Sequence, residues 1–507
     1  MTDNRNFSNI SNNSNNSDNS NTVKTNATFE HLSGESPEDW RRLAEGANAL
    51  AARLSEDANS KGYGEALASA MQDFYRIYGG GLGRWFASLF DTRVGGFYYS
   101  ASARDNETLD YKGEIFGLLP DSDSTCQAMW TLVTLGIAKK SCRELFPERM
   151  KRDIIRFLKG LEEEDGYVYH PQFPRERNIE KVARRSRDTS RAGSALAILG
   201  ASFTYDTPLG HKGDGIDKDG NPVALAARSA VAVASELSGK QATEARTARA
   251  EYLEDRDTFT RYLSTLKLRN NSYSTGSFFI TQYSEIKERD RQLGEDNPRG
   301  GLVRALIEWL SENQLENGTW NDEINYATVS GIMKICRLYS AAGVMMPRVE
   351  RTLDAVARVI LSDIEPGSIT DVFNPWIALE VIVSDLYALG GENEAALGDR
   401  LRLEILKSAP EMIAKTKRKL GAFLRSDGAF SYNYGKSGGY NMGMPLGIAG
   451  IDEGDMNATH LAAGIPAAIY RAMGLSDLAV PILGESEREI FLRIIDEKYR
   501  KTDKETE

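Results

Sequence analysis

The chain has little of what builds a metal centre, a disulfide scaffold or a nucleic-acid interface. Only three of its 507 residues are cysteine, and only four are histidine. Cys126, Cys142 and Cys336 lie far apart and match no zinc-ligand spacing, so they predict reduced thiols of the kind found in cytoplasmic proteins. The net charge of −11 makes the phosphate backbone of a nucleic acid an unfavourable partner. The sequence thus predicts no metal, no cofactor and no nucleic-acid partner.

Long apolar segments are also missing. No apolar run reaches the roughly 20 residues that a membrane-spanning helix needs. The first residues contain no apolar core of a signal peptide. We therefore expect a cytoplasmic protein without a membrane span. These features do not predict an oligomeric state.

The composition divides the chain into two regions. Residues 1–35 are rich in asparagine and serine and have too little apolar surface to offset the entropy of ordering, so we expect a disordered tail. The whole chain is 41% hydrophobic and 27% charged, as in globular proteins with a large core. We expect residues 36–500 to form one helical domain.

One segment, residues 309–320, gives the pattern for the rest of the domain. An amphipathic helix leads into it, with apolar residues at helical spacing at Leu302, Val303, Leu306, Ile307 and Leu310. Gly318 ends this unit, because glycine accepts the left-handed backbone that a helix end often needs. We expect the ring of Trp320 to fold back over the helix end. Weaker copies begin at Trp85, Phe157 and Phe423.

A unit that recurs along a chain indicates a repeat architecture. Each turn follows one predicted helix and precedes another, as in 146–161 with 191–199 and 302–309 with 328–339. The turn glycines lie at positions 96, 166, 318, 367 and 428. The long gap between 166 and 318 predicts one further, less regular hairpin within residues 201–300. Six helical hairpins predict an all-α fold, an (α/α)6 toroid with short β-hairpins in the loops at one mouth.

The same segment carries a resemblance to a known family. Trp309-Leu310, three residues, Gln314, a short gap and then Gly318-x-Trp320 match the QW motif of the terpenoid cyclases. With the order of the hairpins, the chain resembles the α/α toroid that terpenoid cyclases share with protein prenyltransferases, over about 80–480. This resemblance implies a central cavity lined by inner helices. Similar toroids carry unrelated activities, including polysaccharide lyases and glycosidases.

A second resemblance concerns chemistry. Asp121-Ser122-Asp123-Ser124-Thr125 resembles the Asp-x-Asp-Asp-Thr motif of class II terpenoid cyclases, with Ser124 in place of the third acid. In that family the middle aspartate donates a proton to an alkene or epoxide, so the resemblance assigns this role to Asp123. Burial and a nearby like charge, here Asp121, raise the pKa of such an acid. The zinc ligands of the protein prenyltransferases are not recognisable.

Polar residues in the loops and at the starts of the second helices are the other candidates, because functional groups favour loops on rigid scaffolds. If six hairpins close, these residues converge on one mouth. The candidates for catalysis are Asp123, Asp121 and Asp188. Asp188 also suits a helix N-cap, the alternative for Asp371 and Asn457 as well. The candidates for ligand binding are Tyr98, Tyr99, Arg104, Asp105, Arg187, Arg191, Asp322, Asn325, Trp376, Tyr432, Tyr434 and His460.

Three functions remain open at this point. The first is an acid-catalysed cyclase, lyase or isomerase with Asp123 as the proton donor. The second is a carbohydrate-active enzyme, in which arginine neutralises a carboxylate and tyrosine or histidine moves a proton, or in which two carboxylates hydrolyse a glycosidic bond. The third is a scaffold that binds a glycan or peptide without catalysis. All three place a small molecule or an oligosaccharide in the central cavity. An apolar aromatic wall around Asp123 would favour the first, and a polar wall would favour the second.

Overall fold

The computed structural model describes residues 36–55, 62–110, 112–173, 182–223, 250–294 and 297–506. The predicted tail (1–35) and nearly all of a candidate helix at 223–237 lie outside these residues. Within them the fold is mostly α-helical, which confirms the all-α class. The helices are α1 (Pro37–Leu54), α2 (Tyr63–Tyr75), α3 (Leu82–Leu89), α4 (Ala101–Asp105), α5 (Ser122–Thr134), α6 (Cys142–Leu145), α7 (Glu148–Gly160), α8 (Val182–Leu199), α9 (Arg256–Thr265), α10 (Ser272–Leu293), α11 (Leu302–Glu312), α12 (Tyr326–Ala342), α13 (Val349–Leu361), α14 (Ile369–Ala388), α15 (Glu392–Gly421), α16 (Met456–Met473) and α17 (Glu485–Thr506).

Short antiparallel ribbons occur in the loops. The paired strands are β1 (Phe90–Asp91) with β2 (Gly96–Phe97), β3 (Glu107–Leu109) with β4 (Ile115–Gly117), and β5 (Tyr440–Asn441) with β6 (Met444–Pro445). In the first ribbon Phe90 pairs with Phe97. The residues of the β5–β6 ribbon show no strand pattern in the sequence.

Six helices pack in a circuit. α5 contacts α8, α8 contacts α10, and the contacts continue through α12 and α14 to α16, which packs back against α5. We call these six the circuit helices. Four of the helices that precede them, α7, α11, α13 and α15, each pack against the circuit helix that follows. One main hydrophobic cluster extends from Trp40 to Tyr499.

The 309–320 unit folds as its residues indicate. The indole nitrogen of Trp320 donates to the carbonyl of Leu310 at 2.8 Å, and the ring is fully buried over the end of α11. Gln314 Nε2 donates to the carbonyl of Gly318 at 2.9 Å. Gly318 has φ +79°, and a Cβ there would lie 2.6 Å from the backbone nitrogen of Thr352 on α13. A side chain at this position would therefore both strain the turn and collide with the next helix.

Three turns are tied to the circuit helices in the same way. The backbone N–H groups of Phe97, Val168 and Phe430, which follow the turn glycines 96, 166 and 428, each donate to a threonine hydroxyl. The acceptors are Thr125 on α5 at 3.0 Å, Thr189 on α8 at 2.9 Å and Thr459 on α16 at 3.1 Å. This shared bond holds each turn against a circuit helix.

Several helix starts differ from the pattern-based prediction. α8 begins at Val182, so Asp188 lies inside a helix and the N-cap reading of that residue is wrong. The basic stretch before Asp188 has no apolar period, which is why the sequence did not extend the helix through it. α14 begins at Ile369 and contains Pro375. Asp371 belongs to its capping box, and Asp455 rather than Asn457 caps α16.

Candidate active site

The first turn of α5 holds two buried acidic residues with different surroundings. Asp121 is the N-cap, and its Oδ1 accepts the backbone N–H of Ser124 at 2.8 Å. Its Oδ2 is buried and has no hydrogen-bond partner among the described residues. Asp123, two residues later, is 1% exposed.

Asp123 is held by two arginines of the neighbouring circuit helix. Arg187 Nε lies 2.6 Å from one carboxylate oxygen, and Arg191 Nε lies 3.0 Å from the other. Because the two arginines are one helical turn apart on α8, both reach the same carboxylate. Their side chains are 19% and 23% exposed, so they also face open space.

A third contact comes from far along the chain. Asn441, on the β5–β6 ribbon, donates its amide to Asp123 at 3.2 Å, and its carbonyl accepts Arg184 at 3.1 Å. The next residue, Met442, has φ +49°, a left-handed conformation that is costly for a residue with a Cβ. The ribbon thus lies over the carboxylate. We call Asp123, Arg187, Arg191 and Asn441 the Asp123 cluster.

Asp188 belongs to a separate buried pair. Arg184, one helical turn before it on α8, donates through Nε at 2.8 Å and through a second nitrogen. Ser122 on α5 donates its hydroxyl to the same carboxylate at 3.1 Å. Both charged side chains are almost fully buried. This geometry indicates a structural pairing that locks α8 to α5, with no open side for a ligand.

Helices α5 and α16 also contact each other through polar side chains. Gln127 Nε2 donates to Asn457 Oδ1 at 2.9 Å, and His460 Nδ1 lies 3.0 Å from the hydroxyl of Thr131. The ring centres of His460 and Trp130 are 5.6 Å apart, and the guanidinium of Arg191 lies 4.5 Å from the centre of the Trp130 ring. Trp130 therefore links the imidazole to the Asp123 cluster.

A cavity of about 470 Å³ is lined in part by Trp130 and His460. Four of the six circuit helices contribute to its wall, which is largely apolar apart from a few polar and basic groups. The lining residues are Trp130, Val133, Thr134, Lys140, Ser141, Ile198, Phe373, Ile377, His460, Gly464, Ala467 and Arg471. Gly464 leaves room for the ring of Phe373, because a Cβ there would lie 2.9 Å from it.

Burial and neighbouring charges determine the pKa values of Asp121 and Asp123. Burial alone would raise the pKa of Asp123, but Arg187, Arg191 and Arg184 outweigh it and hold that pKa well below its usual range. Burial and the charge of Asp123 raise the pKa of Asp121 to about 7. The structure therefore contradicts the expectation that Asp121 and burial keep Asp123 protonated. Of these two aspartates, Asp121 is the one with a pKa near neutral pH.

A second buried aspartate caps the last circuit helix. Asp455 caps α16 and accepts N–H groups from Ala458 at 2.8 Å and Tyr432 at 2.7 Å. Burial raises the pKa of Asp455 to about 7 as well. Tyr99 is buried against this second cap, its hydroxyl paired with Asp455 and its carbonyl accepting Met456 N–H.

The imidazole of His460 is neutral. Burial, with a further effect of the Arg191 charge, lowers its pKa to about 3. Burial, with a further effect of Tyr273, raises the pKa of Tyr432 well above that of a free phenol. His460 and Tyr432 thus offer a neutral base and a protonated phenol.

The remaining predicted residues have partners outside the Asp123 cluster, and their convergence on one mouth stays a prediction. Arg104 and Asp105 pair with each other, and Asp322 pairs with Arg269 at 2.5 Å. The other placements are these: Tyr98 donates to Asp91, Asn325 caps α12, Trp376 is buried in the core and donates to Thr416, and Tyr434 is 60% exposed beside Phe423.

Two basic residues of α12 escaped the sequence reasoning. Lys334 and Arg337 are the only charged residues in the segment Tyr326–Ala342, and they lie one turn apart. Charged residues at helical spacing in an otherwise apolar helix were the available signal. Asn441 gave no such signal, because a ribbon brings it to Asp123 across 318 positions.

Comparisons with protein-family models, with curated proteins and with solved structures find no match. Among the described residues, no helix is both long and apolar enough to cross a bilayer. The same residues contain no group of three or more His, Cys, Asp or Glu side chains placed to hold a metal ion. The three cysteines are unpaired and buried.

Proposed function

We propose that the six circuit helices form the inner layer of an (α/α)6 toroid and that the Asp123 cluster lies in its central cavity. The closed order of contacts, from α5 through α8, α10, α12 and α14 to α16 and back, supports this arrangement. A cavity whose wall is shared by α5, α8, α14 and α16 supports it further.

Within this toroid, we propose that the protein is a carbohydrate-active enzyme, a lyase that acts on a glycan containing uronic acid. The observation that carries the proposal is the ionised Asp123 between two arginines whose side chains are still 19% and 23% exposed. A cluster of this kind suits a ligand with hydroxyl and carboxylate groups, because the planar fork of arginine binds both oxygens of a carboxylate.

The chemistry would be β-elimination. Arg187 and Arg191 bind the uronate carboxylate and stabilise the negative charge that develops when the proton on the adjacent carbon is removed. His460 accepts that proton, the bond from the next carbon to the glycosidic oxygen breaks, and a carbon–carbon double bond forms. Tyr432 supplies a proton to the departing oxygen. A bound carboxylate raises the pKa of His460, because a nearby negative charge favours the imidazolium.

An acid-catalysed cyclase or isomerase is the second candidate. The raised pKa of Asp121 and the unpartnered Oδ2 favour it, since a buried carboxyl that keeps its proton can donate one. The apolar side chains of the cavity also favour it. Against it stand the ionised Asp123 and the polar groups around it. The strongly shifted pKa values of both aspartates argue against a scaffold without chemistry.

The test is incubation of the purified protein with a panel of polyuronates and, as controls, neutral polysaccharides. We expect ultraviolet absorbance from the unsaturated uronate product, from polyuronates alone. His460→Gln should lower kcat by about 100-fold or more if the imidazole takes the proton. The matched control is His211→Gln, at a histidine that packs against Phe203. New reducing ends without that absorbance would indicate hydrolysis instead, and no reaction with any polyuronate would contradict the proposal.

A further inference from the structure

The cavity of about 470 Å³ opens at the later ends of the circuit helices. Val133 lies in the last turn of α5 and Ile198 in the last turn of α8, and both line the cavity. Val133 is 37% exposed, so solvent reaches the wall there. Asp123, in contrast, lies in the first turn of α5. The opening and the Asp123 cluster are therefore at opposite ends of that helix.

The wall of this cavity is long and mostly apolar. Residues of α16 from His460 to Arg471 line it, which is about 16 Å along the helix at about 1.5 Å per residue. Phe373 and Ile377 of α14 add a second apolar side. The volume lies within the range of small-ligand pockets, about 300–1,000 Å³. An elongated apolar wall favours a linear apolar chain, because burying such a chain removes its surface from water.

The two basic residues of the wall differ in their pairing. Arg471 donates through Nη2 to Glu380 at 2.9 Å and through Nε to the other oxygen, so its charge is balanced. Lys140 lines the cavity and is exposed, and no carboxylate in the described part of the chain pairs with it. The cavity therefore has one uncompensated positive charge, at its exposed rim.

We propose that this cavity binds a free acid with a linear apolar chain, the carboxylate at Lys140 and the chain extending along α16 towards His460. A carboxylate has the single charge that one ammonium balances, whereas a phosphate monoester has about two. The chain ends beside Trp130, whose ring centre is 5.6 Å from that of His460 and 4.5 Å from the guanidinium of Arg191. This site is additional to the proposed lyase site and does not depend on it.

Calorimetric titration tests the site with three probes of equal chain length: decanoate, decanol and decyltrimethylammonium. We expect decanoate to bind and the ammonium probe not to bind. Lys140→Gln should weaken binding of decanoate about tenfold, as loss of one charge-assisted contact implies, and should change binding of decanol by less than about twofold. Ala467→Phe should abolish binding of both, because Ala467 lines the cavity and the larger ring would fill it.

The matched control is Lys139→Gln, at the preceding lysine, which lies 2.7 Å from Glu485 and should leave decanoate binding unchanged. If thermal unfolding shows that Ala467→Phe is not folded, Ala467→Leu takes its place. Equal affinity of the parent and Lys140→Gln for decanoate would overturn the site, as would equal affinity of the parent for the acid and the ammonium probe. Decanoate binding without elimination from any polyuronate would contradict the lyase and support this site, and elimination without decanoate binding would do the reverse.

Discussion

Asp123 illustrates how one side chain serves folding and function together. Its carboxylate accepts bonds from two arginines of α8 and an amide of the β5–β6 ribbon. Asp123 was chosen from the resemblance of its segment to the Asp-x-Asp-Asp-Thr motif, and Arg187 and Arg191 were chosen as polar residues near the start of a predicted second helix. The ion pairs of these residues could not be predicted from the sequence, because the basic stretch of α8 has no apolar period that would mark it as helical.

Asp123→Asn should destabilise the protein by about 3 kcal/mol, because it leaves two partly buried arginines without their counter-charge. Arg187→Gln should cost less, since Arg191 remains with the carboxylate. Urea unfolding of the parent, both single variants and the double variant gives the coupling energy. Asp503→Asn, whose pair with Arg149 is on the surface, is the control and should change little. Additive effects of the two substitutions would show that the pair is not coupled.

The raised pKa of Asp121 predicts a pH effect on stability. In the unfolded chain an aspartate ionises near pH 4, whereas in the fold Asp121 ionises at about 7. The folded protein therefore binds more protons between these values, and this contribution to stability, complete below about pH 4, is lost as the pH rises to 7. Asp121→Asn should flatten that part of the profile, measured by urea unfolding at half-unit steps. Parallel profiles of variant and parent would contradict the shifted pKa.

At the scale of elements, the same hydrogen bond between a turn and a circuit helix occurs three times. Phe97, Val168 and Phe430 each donate a backbone N–H to a threonine of a circuit helix, within its first turn in α5 and α16 and further along in α8. Glycine positions and apolar periods were enough to find helices such as those predicted at 302–309 and 328–339. The threonine contacts were not foreseen, because one hydroxyl adds nothing to a hydrophobic pattern.

Thr459→Val should cost about 1–3 kcal/mol, because it removes the acceptor and leaves the N–H of Phe430 buried without a partner. Thr125→Val should behave alike, and thermal unfolding would measure both. Thr265→Val is the matched control, since this hydroxyl is exposed and bonds only within α9. A cost at Thr265 equal to that at Thr459 would mean that the turn contact contributes nothing special.

At the scale of the molecule, the last circuit helix packs on the first. Residues about 330 positions apart meet there, as Gln127 does with Asn457 and Thr131 with His460. Open repeat stacks contact only their neighbours and can lose terminal units separately. Glycine spacing and apolar periods predict helices, but the contact between α5 and α16 joins residues about 330 positions apart, which no local pattern contains.

We expect cooperative unfolding of the circuit as one unit. Hydrogen exchange under mildly denaturing conditions should give the amides of α5 and α16 the same opening free energy as those of α12. Gln127→Ala combined with Thr131→Val should lower all of these together. Selective loss of protection in α16 alone would show that the last helix opens independently.

The C-terminal helix has a consequence for how the chain can be rearranged. α17 packs on α3, and the carboxylate of Glu487 accepts the N–H groups of Gly81 and Gly83 at 2.8 and 2.6 Å. The third helix and the last helix are thus neighbours in space. A circular permutant, with a linker from the end of α17 to the start of α1 and new ends opened at the exposed turn near Val344, should keep the same packing. We therefore expect the helix packing to be independent of which helix comes first in the chain.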